Sequence, residues 1–85
     1  MRPRSHVKAL IDEDGAVLLD LRSDVYFAMN EVAAEIWRAL DAGMEEDEIV
    51  RAIHAQYDVD RATISAQVSE FLTALLRDDL IESDG

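Results

Sequence analysis

The sequence predicts a single α+β domain over residues 1–85, with three strands in succession followed by three helices. Three observations predict it. Up to Met29 the apolar side chains recur with a period of two, interrupted by short turn sequences. From Val32 onward the period becomes 3.6, with Ile36, Trp37 and Leu40 on one helical face. Asn30 stands at the switch, a residue type whose side chain accepts from the free N–H groups of a helix start. A sheet with one apolar face laid under helices is an α+β layer arrangement.

The first strand spans Ser5–Asp12, where Val7, Ala9 and Ile11 alternate against His6, Lys8 and Leu10. Glu13-Asp14-Gly15 makes the first turn, and Gly15 tolerates positive φ. Ala16–Arg22 reads as the second strand, with Val17, Leu19 and Leu21 on the core side and Asp20 and Arg22 opposite. That assignment leaves Leu10, Leu18 and Tyr26 on the outer face among charged groups, a candidate docking patch. Ser23-Asp24 turns the chain into a third strand, Val25–Met29, rich in β-branched and aromatic residues. Its odd positions Val25, Phe27 and Met29 share a face. A strand that runs straight into a helix cap is last in its meander, so one edge is free to pair with another chain.

The first helix stops at Asp41-Ala42-Gly43, where glycine accepts the left-handed conformation. Glu45-Glu46-Asp47-Glu48 then opens the second helix, placing acids at the positive end of its dipole, with Ile49, Val50, Ile53 and Tyr57 facing inward. Asp60 caps the third and longest helix. Its inner stripe is Ile64, Val68, Phe71 and Leu75, widened by Leu72 and Leu76 so that it spans more than one neighbour. Leu80-Ile81 folds back on the core, and Glu82–Gly85 frays.

Composition removes several function classes. Acids outnumber bases by 19 to 8, a net charge of −11, which repels phosphate backbones and excludes nucleic acid as a partner. With no cysteine there is no disulfide, thiolate metal site or thiol nucleophile. The basic start Met1–Lys8 lacks an apolar segment behind it and is not a signal peptide. No apolar run reaches the ~18 residues of a membrane span. The chain reads as soluble and cytoplasmic.

Catalytic constellations are likewise missing. His6 and His54 have no ligand partner at useful spacing and read as satisfied or solvated. Asp12-Glu13-Asp14-Gly15 lacks the alternating ligands and distal glutamate of a calcium loop. Three glycines build no phosphate loop, and the serines have no adjacent base. No cofactor, no metal and no enzymatic activity are expected.

The residues that remain informative carry a family resemblance. Gly15-x-Val-Leu-Leu19, Tyr26-Phe-x-Met-Asn30, Ala33-x-x-Ile-Trp37 and Asp41-x-Gly43 resemble PqqD, as do Glu48-Ile-Val50, Tyr57-x-Val59, Val68-x-x-Phe-Leu-x-x-Leu75 and Leu80-Ile81. PqqD and its relatives are the RiPP recognition elements, leader-binding domains of ribosomal peptide modification. The similarity covers residues 6–82. Gln67 departs from it, standing where many relatives carry an acid, and Glu45 replaces the usual Ser or Thr cap.

The resemblance implies a winged-helix-like fold that binds a precursor peptide. The leader would add as an antiparallel strand beside the third strand, at Val25, Tyr26, Phe27 and Ala28, and drop side chains into a groove against the third helix. Gln67, Val68, Phe71, Leu72 and Leu75 would form that groove's other wall, although ordinary core is the alternative role for the apolar four. A chain of this size resembles the stand-alone member of lasso-peptide clusters, which works beside a separate leader-cleaving cysteine protease. The alternatives are a PqqD-type peptide chaperone for a radical-SAM enzyme and an acidic protein–protein adaptor or dimer. A winged-helix DNA binder would need a basic third helix, but Arg61 and Arg77 face Asp60, Glu70, Asp78 and Asp79. An acidic carrier protein would need four helices and an Asp-Ser-Leu attachment site, which does not occur.

Overall fold

In the computed structural model, which describes residues 1–13 and 15–83, an antiparallel meander is followed by three helices, and a strand pair joins the two ends of the chain. The elements are β1 (Arg2–Pro3), β2 (Val7–Asp12), β3 (Gly15–Asp20), β4 (Val25–Met29), α1 (Glu31–Asp41), α2 (Glu46–Gln56), α3 (Arg61–Arg77) and β5 (Ile81–Glu82). The predicted three-stranded sheet is β2-β3-β4, with β3 in the centre. Val7 pairs with Asp20 and Asp12 with Gly15, while Ala16 pairs with Met29 and Asp20 with Val25. The α+β, winged-helix-like order is present as predicted.

The strand-to-helix switch follows from Asn30. Its extended backbone ends β4, and its side-chain oxygen accepts from the Ala33 N–H at 2.8 Å, satisfying one free donor of α1. Gly43 takes φ 89° just past the end of α1. At the start of α2 a reciprocal capping box forms: the Glu45 side chain accepts from the Glu48 N–H, in the place of the usual Ser or Thr, and the Glu48 carboxylate accepts from the Glu45 N–H at 3.0 Å. Asp60 occupies the cap position of α3, but its side chain makes no hydrogen bond to the helix. Its charge still meets the positive end of the dipole.

The inward faces of sheet and helices share one core, in which Leu18, Ile36, Trp37, Leu40, Ile49, Ile53, Val68 and Leu72 are buried. Val7, Ala9, Ile11 and Phe27 pack against it half-buried, as the alternation of β2 and β4 predicts. In α3 the buried positions are Ile64, Val68, Leu72 and Leu75, a narrower stripe than expected. Phe71 is half-buried at its rim and Leu76 is 43% exposed, because Leu76 lies beyond the face that this spacing turns inward.

The faces of β3 are the reverse of the sequence reading. Ala16, Leu18 and Asp20 point into the core, Leu18 with no exposed surface, while Val17 and Leu19 are half-buried on the outside and Leu21 is 52% exposed. Both parities of this strand are apolar, so alternation casts no vote, and the charge of Asp20 argued for the wrong side. The outer face therefore presents Leu10, Val17, Leu19 and Tyr26; Leu18 is not part of it.

The strand pair at the termini was not anticipated either. Arg2 pairs with Glu82 and Pro3 with Ile81, and the Arg2 and Arg4 guanidinium groups reach Glu82 at 2.8 and 3.2 Å. Leu80 and Ile81 are buried, as expected of a tail that folds back. Glu82, expected to fray, is held in β5; Asp84 and Gly85 lie outside the described residues, as does Asp14 of the first turn.

Candidate peptide-binding site

Among the described residues, β4 has a strand neighbour on one side only. The hydrogen-bonding phase of its free edge follows from the register. The Leu21 N–H donates to the His6 carbonyl at 2.8 Å, and in an antiparallel ladder such bonds join directly opposed residues. Leu21, Leu19 and Val17 therefore spend their backbone groups on β2. Asp20, Leu18 and Ala16 spend theirs on Val25, Phe27 and Met29 of β4. By alternation the N–H and C=O groups of Tyr26 and Ala28 point away from the sheet, and both residues are exposed.

Side chains of β4 alternate the other way. Val25, Phe27 and Met29 share the helix-facing side, and of these Val25 is 45% exposed, Phe27 half-buried and Met29 buried. Beside the strand's end lies an open concavity of about 370 Å³. Val32, Ala33 and Ile36 of α1 and Phe71 of α3 give it an apolar lining, with Asn30, Gln67 and Glu70 at its polar rim. It is apolar inside and polar at its edge, the character of a site that binds apolar side chains from an extended chain.

The predicted site residues divide accordingly. Val25, Tyr26, Phe27 and Ala28 form the edge strand; Gln67 and Phe71 line the concavity. Val68, Leu72 and Leu75 lie in the core, at 0%, 2% and 3% exposure, behind the surface that Phe71 presents. The sequence reading missed the contribution of α1. Val32, Ala33 and Ile36 form one face of its first turns, but their periodicity looks the same whether the face meets core or groove. A second concavity, of about 400 Å³, opens beyond Asn30 under the β2–β3 hairpin and is lined in part by Asp12, Glu13, Glu31 and Glu35.

Among the described residues, two side chains have clearly shifted acidities. Burial works against the charged form of Asp20, but hydrogen bonds from the Arg22 and Ser23 N–H groups and the Ser23 hydroxyl, with nearby His6, outweigh it and hold its carboxyl below 3.8. Burial pushes the Tyr57 phenol above 10, and the carboxylates of Glu31 and Glu35, together with a hydrogen bond to Glu31, push it the same way. Neither borders a candidate reaction centre. Among the described residues no group of three or more His, Cys, Asp or Glu side chains could hold a metal ion. No helix there is long and apolar enough to cross a membrane.

The family model of coenzyme PQQ synthesis protein D (PqqD) matches residues 15–81. No curated protein matches the sequence. The chain is similar to a solved structure described as TbiB1 in complex with the TbiA(beta) leader peptide, at 36% identity and a TM-score of 0.90 over 100% of this chain and 99% of that one. It is also similar to lasso peptide synthetase B1 complexed with the leader peptide, at 26% identity and a TM-score of 0.86 over 96% of each chain. With a family match over most of its length and the same overall fold as these two proteins, the chain belongs to the PqqD family and is a PqqD-like RiPP recognition element.

Proposed function

We propose that this protein captures the leader of a ribosomally made precursor peptide in lasso-peptide biosynthesis and delivers it to a separate leader-cleaving cysteine protease. The carrying observation is the free edge of β4 beside an open apolar groove, in a chain closely similar to two proteins solved with leader peptides. The leader adds to β4 as an antiparallel strand. Tyr26 and Ala28 exchange backbone hydrogen bonds with it, and its inward side chains enter the groove between the start of α1 and Gln67 and Phe71. Val25 and Phe27 complete the strand-side wall. Val68, Leu72 and Leu75 hold α3 in place from behind. The chain's part is binding, with bond cleavage left to the partner.

Delivery needs a second surface. The outer face of the sheet keeps Leu10, 56% exposed, and Tyr26, 67% exposed, of the predicted Leu10, Leu18 and Tyr26 patch, while Leu18 is lost to the core. Exposed apolar side chains gathered on one face mark a protein contact.

The test is titration of a fluorescein-labelled leader, encoded beside this gene, followed by anisotropy, with leader cleavage by the cluster's protease as a second readout. Saturable binding by wild type, weakened by Phe71→Asp in a folded variant, is expected. Leu10→Glu should keep leader affinity and lose stimulation of the protease. A well-folded wild type that binds no leader from its own cluster would sink the reading. Stimulation of a radical-SAM enzyme instead would favour the role of a PqqD-type peptide chaperone.

A further inference from the structure

The start of β2, the β3–β4 turn and the segment after α3 meet at one corner. Nε2 of His6 lies 3.0 Å from the Asp79 carbonyl oxygen, which can only accept, so that nitrogen carries the hydrogen and donates. The His6 backbone carbonyl accepts from Leu21 on the turn. The carboxylate of Asp20, a residue 4% exposed, lies 3.9 Å from the same Nε2. The same carboxylate accepts from the N–H groups of Arg22 and Ser23 at 2.9 and 3.3 Å, and the Asp20 carbonyl accepts from the Asp24 N–H at 2.8 Å. Arg22 then crosses to the Asp79 carboxylate at 3.0 Å, and Arg4 approaches it at 3.7 Å.

The corner ties the start of β4 to the segment just past α3, at the end of both elements away from Asn30. Asp24, held at φ 60°, delivers the chain into β4, and Asp79, held at φ 62°, stands two residues past the end of α3. Through its ring, bonded to Asp79, and its backbone carbonyl, bonded to Leu21 in the turn before β4, His6 fixes how far apart the strand and the helix stand at that end. Packed apolar groups tolerate sliding, whereas a directional, part-buried hydrogen bond resists it. A peptide that must bond the edge of β4 and fill a groove against α3 requires that spacing to within about half an ångström.

We propose that His6, seated by Asp20 and bonded to Asp79, is a positioning device that sets the width of the peptide groove and so controls leader affinity without touching the peptide. The inference rests on the leader-binding reading above. Its test is leader affinity measured at a temperature where every variant is folded by circular dichroism. His6→Leu keeps the bulk and loses the donor, while the amide of His6→Gln can reach the same carbonyl. We expect His6→Leu to weaken leader binding about tenfold, the effect of one lost part-buried hydrogen bond, and His6→Gln to restore it to within about twofold. A purely structural role would lower the melting temperature of His6→Leu and leave affinity at low temperature unchanged.

Should His6→Leu not fold, the half-exposed pair decides. Arg22→Ala and Asp79→Asn should each weaken binding about threefold, as expected for an exposed ion pair, and the double variant no further. Folded variants that all bind within twofold of wild type would overturn the proposal while leaving leader capture intact. Failure of wild type itself to bind would overturn both.

Discussion

The carboxylate of Asp20 sits where burial alone would favour its neutral form. Its ionisation is sustained by donors from Arg22 and Ser23 and by His6, which hold its folded-state pKa below the ordinary 3.8. A depressed carboxylate pKa contributes stability that is fully present above the unfolded-state value and is lost as pH falls through the folded-state value. Wild type should therefore lose part of its stability as pH drops below about 4, and Asp20→Asn should lose less over that window while starting less stable at pH 7. Urea unfolding of both proteins at pH 7 and pH 3 checks this; equal losses would show that Asp20 is not ionised differently in the two states. The Tyr57 phenol works in the opposite sense. Its raised pKa contributes stability below 10 that is lost as pH rises through the folded-state value, so Tyr57→Phe should flatten the alkaline limb of the unfolding profile. Neither environment was legible in the sequence, because each depends on a partner brought from elsewhere in the fold: His6 for Asp20, Glu31 for Tyr57.

Among the elements, β3 and β4 show what alternation can and cannot say. In β4, one parity holds Val25, Phe27 and Met29 and the other Tyr26 and Ala28, and Phe27 and Met29 of the first set meet the core as its composition suggests, while Val25 is exposed at the strand's start. In β3, Ala16 and Leu18 compete with Val17, Leu19 and Leu21, and only docking against α1 selects the first pair. The same parity rule yields a sharp contrast on β4. Proline at position 28 removes an N–H that points to the free edge, so Ala28→Pro should fold and weaken leader binding about tenfold. Proline at position 27 removes a ladder bond to β3 and a half-buried ring, so Phe27→Pro should destabilise the fold by about 3 kcal/mol or more. Chemical denaturation and leader anisotropy on the two variants separate these outcomes. If Ala28→Pro unfolds, or if it binds the leader like wild type, the assigned edge phase is wrong.

At the scale of the molecule, one core serves both sheet and helices, and the ends of the chain are tied together across β1 and β5. Trp37, 4% exposed, is the largest side chain in that core. Trp37→Ala should cost about 3–5 kcal/mol, much of the ~5–10 kcal/mol available to a domain of this size. Thermal unfolding should show a fall of tens of degrees or no cooperative transition at all; a shift of only a few degrees would mean that neighbours collapse into the space. The net charge of −11 also acts at this scale, and it leaves α3 unsuited to a phosphate backbone despite the winged-helix-like fold.

By itself the sequence determined the order of elements, the handover from β4 to α1 at Asn30, the acidic start of α2 and the family resemblance. These are encoded locally, in side-chain period, cap chemistry and short-range spacing. Tertiary structure alone decided which face of β3 is core, that Val68, Leu72 and Leu75 stand behind Phe71, and that α1 lines the groove. It also decided the outward phase of Tyr26 and Ala28 and the union of His6, Asp20 and Asp79. Each of these depends on where a second element comes to rest, and a periodic apolar pattern reads the same whether its neighbour is core, groove or solvent.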